Sequence, residues 1–159
     1  MNPLLLHAHR LWQRFVHLLE ALQPLAQLAA RLYIARVFFL SGLTKIRDWD
    51  TTLALFTDEY KVPLLPPHLA AFMGTGGELA LPVLLVLGLF GRFAALGLAV
   101  LNIVAALSLP DIAEAALQQH VFWGSLILGL LLWGPGRWSA DGLLGRRLCE
   151  RLGLQVRAA

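Results

Sequence analysis

Apolar residues along this chain fall into long runs rather than the spaced stripes of a soluble helical bundle. Four runs stand out, at residues 25–46, 68–90, 93–109 and 121–133. A hydrocarbon core of about 30 Å takes roughly 20 helical residues at about 1.5 Å each, so the first two runs are long enough to cross a bilayer. The third is short but uncharged. The fourth reaches full length only if its helix begins near Ile112 and keeps Gln118, Gln119 and His120 at the interface. Ahead of them, the pattern over residues 4–22 predicts an amphipathic helix. Leu4, Leu11, Trp12, Phe15, Leu18, Leu19 and Leu22 share one face, and His7, Arg10, Arg14 and His17 the other. Such a helix is expected to lie in the interface against anionic lipid, with Pro24 separating it from the first span.

The expected fold is all-α: a four-helix transmembrane bundle preceded by an N-terminal amphipathic interfacial helix. Its divisions are residues 1–24, one membrane domain over 25–145, and a basic cytoplasmic tail over 146–159. The first loop, 47–67, is expected to carry a short helix capped by Asp50 and running through Thr51, Leu53, Leu55 and Phe56. Pro63, Pro66 and Pro67 stiffen its return. A loop of that length packs over the outer mouth of the bundle, as an interfacial anchor or as a lid.

Composition agrees with the membrane reading. Hydrophobic residues make up 58% of the 159 positions and charged ones 14%, with a mean hydropathy of +0.67. The net charge of +3 and pI near 9.6 would suggest nucleic acid in a soluble protein, but topology explains them better, and no nucleic-acid partner is expected. With four spans both termini share a side. Arg10, Arg14, Arg31, Arg92, Arg137, Arg146, Arg147, Arg151 and Arg157 fall there, whereas the other side has Lys45, Arg47 and Lys61 among six acids. Positive charge inside therefore puts both termini in the cytoplasm. Trp12, Trp133 and Trp138 mark the inner interface, and Trp49, Tyr60 and Trp123 the outer one. Arg10, Arg14, His17 and Glu20 interrupt the only candidate signal sequence, and Cys149, the sole cysteine, has no partner for an intrachain disulfide.

Candidate chemistry lies in polar residues within or beside the spans, arranged in two layers. The middle layer holds Arg36, Glu78 and Asn102; the outer layer holds Lys45, His68 and His120, with Asp48 nearby. Arg36 and Glu78 are expected about halfway through the membrane, where a charge is costly unless paired, so an Arg36–Glu78 contact is expected. Such a pair either fixes helix register or lines a pocket for a polar head group or proton relay, with Glu78 as the titrating group. On a helical wheel Arg31 and Lys45 share one face, and Arg36 is half a turn from Lys45. Gly74, Thr75, Gly76 and Gly77 precede Glu78; with no strand before them and no Gly-Lys-Ser/Thr after, they read as close helix packing rather than a phosphate loop. Pro82 frees a carbonyl near the acid.

Metal and haem sites are disfavoured. His7 and His9 diverge by about 200° on a helix, and His68 and His120 sit at span edges rather than facing each other inside a bundle. No Cys-x-x-Cys, G-x-S-x-G, H-E-x-x-H or Walker motif occurs, and nothing nominates a nucleophile.

Three separated strings resemble the DoxX family of small bacterial membrane proteins. They are RLYIARVFFLSGLTKI from Arg31, ELALPVLLVLGLFGR from Glu78, and GPGRWSADGLL from Gly134. The resemblance covers about residues 28–145, and the stretch DWDTTLALFTDEYKVPLLPP is similar to a proteobacterial subgroup. It implies four helices in the inner membrane and marks Arg31, Lys45, Glu78, Arg92, Arg137, Ser139 and Asp141 as motif positions. The family is named after a subunit associated with thiosulfate:quinone oxidoreductase, and the subgroup implies a context of copper or other metal stress. Physically, Ser139 or Asp141 is expected to cap the helix that follows, with Arg137 near lipid phosphates.

Two functions follow as expectations. One is a quinone-linked redox subunit, holding a quinone head near Glu78 and Arg36, or near Lys45 and His120, while a membrane or periplasmic partner supplies electrons. The other is a non-catalytic membrane anchor or assembly module, acting in metal homeostasis, whose polar layer serves packing alone. A small transporter is a third, weaker expectation.

Overall fold

The computed structural model describes residues 3–144, excepting the side chains of Pro3 and Leu5. All of the regular structure there is helical: α1 (Pro3–Arg47), α2 (Trp49–Asp58), α3 (Pro67–Leu87), α4 (Gly91–Ser108) and α5 (Glu114–Trp133), with a final helical turn at 140–144. The basic tail over 146–159 and Cys149 lie outside the described residues. α1, α3, α4 and α5 are long and apolar enough to span a membrane. α1 packs on α3, α3 on α4 and α4 on α5, and α5 closes back on α1.

The core is thin and aliphatic, built on Ile34 and Phe38 of α1, Leu85 of α3, Ala94, Ala95 and Leu98 of α4, and Ile127 and Leu130 of α5. Large apolar side chains point outward instead: Phe72, Phe93, Leu107, Val121 and Leu132 are each more than 60% exposed. A water-soluble bundle could not leave so many outside; lipid tails are the solvent this surface fits. Glycines let the helices close. A Cβ on Gly42 would come within 2.9 Å of Leu79, one on Gly77 within 2.9 Å of Leu101, and one on Gly97 within 2.7 Å of Leu81.

Two expectations about local structure are corrected. Pro24 does not separate two helices: α1 runs unbroken through it for 45 residues, roughly 67 Å. The proline removes one helical hydrogen bond, to the carbonyl of Glu20, and Glu20 lies in an exposed stretch where water can replace it. The amphipathic segment is thus a continuation of the first span and does not fold flat at Pro24. The cap of α2 is Asp48 rather than Asp50: its carboxylate accepts from the backbone N–H of Thr51 at 3.0 Å and from the Thr51 hydroxyl at 2.7 Å. Asp50 occupies the first turn, where a negative charge also favours the helix dipole.

Candidate functional site

Where α1 and α3 close at Gly42, the Gly42 backbone faces Glu78, a hypothetical Cβ there lying 3.1 Å from the Glu78 Cβ. Lys45 is three residues further along, about 4.5 Å up the helix and only about 60° round it, so its flexible stem reaches back to the acid. Lys45 Nζ donates to both carboxylate oxygens of Glu78 at 2.6 Å and to Ser41 Oγ at 3.0 Å, which uses all three ammonium donors. The side chains keep 20% and 13% of their exposure.

The expected Arg36–Glu78 contact does not form. Arg36 lies six residues before Gly42, about 9 Å lower and about 120° away. It is exposed, and it faces a separate groove of about 510 Å³ with Leu32, Phe39, Pro82 and Val83. The acid is satisfied from the end of α1 instead.

Asn102 and His120 form the second polar pair, joining α4 to α5. Asn102 Nδ2 donates to the backbone carbonyl of His120 at 2.9 Å, and Asn102 Oδ1 lies 2.9 Å from His120 Nδ1. An amide oriented by that first bond presents its oxygen as an acceptor, so in the neutral ring Nδ1 carries the proton and Nε2 keeps its lone pair; the tautomer is assigned from this network. Trp123 holds the ring edge-on at 5.1 Å and itself packs against Phe38.

Lys45 and Glu78 border one cavity of about 450 Å³ on one side and His120 on another, while Asn102 holds His120 without itself lining the space. Apart from Ser41 and Ser108, the cavity wall is otherwise apolar or aromatic, including Phe38, Met73, Leu101, Val104 and Trp123. Of the predicted middle and outer layers, Glu78, Lys45 and His120 line this one space; Asn102 stands behind His120, and Arg36 and the exposed His68, on the first turn of α3, do not line it.

The α2 segment covers this space. Phe56, Tyr60, Val62 and Leu65 contribute to its lining; Phe56 is buried beneath α2 and meets the Tyr60 ring edge-on at 5.0 Å. Gly74 faces Phe56 at van der Waals distance, 3.7 Å from a hypothetical Cβ. Two bonds fasten the cover: the Thr52 hydroxyl donates to the Lys45 carbonyl at 2.9 Å, and the Lys61 N–H to the Ser108 carbonyl at 2.8 Å. Burial, then the charges of Glu59 and Glu78, push the Tyr60 hydroxyl above its usual pKa, so it stays a donor at neutral pH.

The remaining motif positions gather at the opposite end. Arg31, 2% exposed, donates Nε to the Leu85 carbonyl at 2.9 Å and Nη1 to those of Pro135 and Trp138 at 2.8 and 3.0 Å; Nη2 reaches the Val86 carbonyl. One planar fork thereby satisfies the C-terminus of α3 and the turn after α5. Gly88, at φ +65°, makes room for it: a Cβ there would lie 2.3 Å from the Ser139 Cβ.

Asp141 caps a different helix from the one expected. Its carboxylate accepts from the N–H groups of Phe90 and Gly91 at 3.0 and 2.8 Å, and so caps α4, where Phe90 has the unfavourable φ of +49°. Ser139 does cap the turn that follows it, accepting from the Gly142 N–H at 3.0 Å. Arg92 donates to the Leu132 carbonyl at 3.2 Å, and Arg137 is exposed. Sequence reasoning grouped Arg31 with Lys45 on one face of α1 but missed its role as a hub. The available signal was an arginine on the bundle-facing side, level with the glycine turn that ends α3.

Among the described residues no group of three or more His, Cys, Asp or Glu is placed to hold a metal ion. The fold and its polar cavity define a multi-pass α-helical membrane protein. The DoxX family model matches residues 26–111, more than half of the chain, and the chain belongs to that family. It is also 30% identical over 126 residues to an uncharacterized protein of Haemophilus influenzae, covering 74% of this chain and 82% of that one. No solved structure matches.

Proposed function

We propose that the chain is a membrane subunit of a redox system that binds the head of a quinone-class molecule in the covered cavity. The observation that carries this reading is the convergence of a cation–carboxylate pair and an amide-held imidazole on one largely apolar space. At about 450 Å³ that space falls within the usual range for small-ligand sites of about 300–1,000 Å³. A quinol hydroxyl would donate to His120 Nε2, while Lys45, released in part from Ser41 or Glu78, would donate to the opposite oxygen. The aromatic wall suits a flat ring and the apolar wall an isoprenoid-like tail. A partner protein supplies or takes the electrons. In this reading the protein sits in a bacterial inner membrane with the α2 side outside and both termini in the cytoplasm.

The test is to purify the protein in mild detergent, extract it with organic solvent and assay the extract for quinone. The expected result is near-stoichiometric quinone in the wild type and its loss in His120→Ala and Glu78→Gln proteins that keep their helicity. A wild type without quinone that also fails to take up an added short-chain quinone would overturn the reading and favour a non-catalytic anchor whose polar pairs serve packing.

A further inference from the structure

The outward face of α1 carries a regular pattern that neither the bundle nor the cavity uses. Leucine recurs at every seventh position, Leu4, Leu11, Leu18, Leu25 and Leu32, with Phe15 and Leu22 between them at the complementary heptad position. From Leu11 to Leu32 these six side chains are 47–57% exposed. The residues α1 turns into the bundle, Arg31, Ile34 and Phe38, are buried on the opposite side. Because α1 is unbroken through Pro24, roughly 30 Å of it continues beyond the bundle along the same helix, and the stripe from Leu11 onward is exposed on it.

We propose that two copies of the chain pair through this stripe, their α1 helices forming a parallel coiled coil over residues 4–32. A strict seven-residue leucine repeat is the period of a left-handed two-helix seam, and an isolated amphipathic helix lying on a bilayer does not need it. Copies inserted in one membrane with one topology present their α1 helices parallel and at the same depth. The seam is therefore isologous and in register without further adjustment. The series spans about 42 Å of helix. In water its leucines supply the hydrophobic drive; within the lipid, Ala29 between Leu25 and Leu32 lets the backbones approach. The position complementary to the leucines that follows Ala29, one heptad on, is Arg36, where two like charges would oppose contact. Pairing therefore stops at Leu32 and leaves the rest of each bundle separate. The inference stands independently of any ligand in the cavity.

Cysteine cross-linking in native membranes tests it, with Cys149→Ser as the background. Leu11→Cys and Leu18→Cys lie on the seam; Gln13→Cys, exposed on the far side of the same turns, is the control. Mild oxidation is expected to trap disulfide dimers at 11 and 18 at least tenfold faster than at 13. Equal rates at all three positions, the signature of random collision, would overturn the proposal. So would no dimer at any position, the result expected if the segment rests on the bilayer. In detergent, Leu11→Lys combined with Leu18→Lys is expected to raise the dimer dissociation constant at least tenfold with helicity retained; unchanged association would equally overturn it.

Discussion

Replacing Glu78 by leucine leaves the Lys45 ammonium in a mostly buried site with only the Ser41 hydroxyl to accept from it. Breaking a fully buried ion pair costs about 3–5 kcal/mol. The pair here keeps 20% and 13% of its side-chain exposure, and the solvent that reaches it lowers the expected cost to about 2–4 kcal/mol. Lys45→Leu strands the carboxylate with a similar penalty. The double Leu variant removes both charges together and is expected to lose only about 1 kcal/mol, since apolar replacement of a buried pair is often near neutral. The coupling energy is then about 2 kcal/mol or more. Reversible unfolding in mixed micelles, followed by circular dichroism across the four proteins, measures it. A parallel cycle with Arg36→Leu and Glu78→Leu should be additive to within about 0.5 kcal/mol, because those side chains do not meet. Additivity in the Lys45 cycle, or strong coupling in the Arg36 cycle, would refute the register of α1 against α3.

At the opposite end, Arg31→Lys cannot replace a planar fork that serves four carbonyls, and a loss of at least about 3 kcal/mol is expected, read by the same unfolding assay. Gly88→Ala combines a positive φ with a clash against Ser139 and should prevent folding, whereas Gly76→Ala, with nothing within 4 Å, should be tolerated; folded yield by size-exclusion chromatography separates them. The Thr51 hydroxyl and then its N–H hold the Asp48 carboxyl below its ordinary value of 3.8. A folded-state pKa that is depressed contributes stability above the unfolded value, lost as pH falls through the folded one. The α2 cover should therefore loosen only below about pH 4 in wild type. Asp48→Ala should remove that acid dependence, as followed by proteolysis of the 47–67 loop.

The spans were legible in the sequence because lipid-facing helices advertise themselves by unbroken apolar runs. The short fourth run was extended correctly into its polar flank: α5 begins at Glu114, two residues past Ile112. Lys45, Glu78, Asn102 and His120 were all nominated, since ionisable or amide groups inside apolar spans are few. Their partners were not legible. Depth counted from the middle of each run assumes that the runs are equally centred. α1 instead slides along α3 until Arg31 meets the α3 C-terminus and Gly42 meets Glu78, which lowers Arg36 out of reach. That offset is decided by glycine contacts and by carbonyls seeking a donor, neither of which hydropathy records. The choice of Asp48 over Asp50 as a cap, and of α4 as the target of Asp141, likewise depends on where the chain turns.

Fluorescence of Trp123, which packs against the His120 ring, reports on the cavity from inside it. In a variant with Trp12, Trp49, Trp133 and Trp138 replaced by phenylalanine, titration with a short-chain quinone should quench Trp123 saturably, and His120→Ala should weaken that binding at least tenfold. Quenching that rises linearly with quinone in the membrane, alike in both proteins, would show that the cavity holds no such head group.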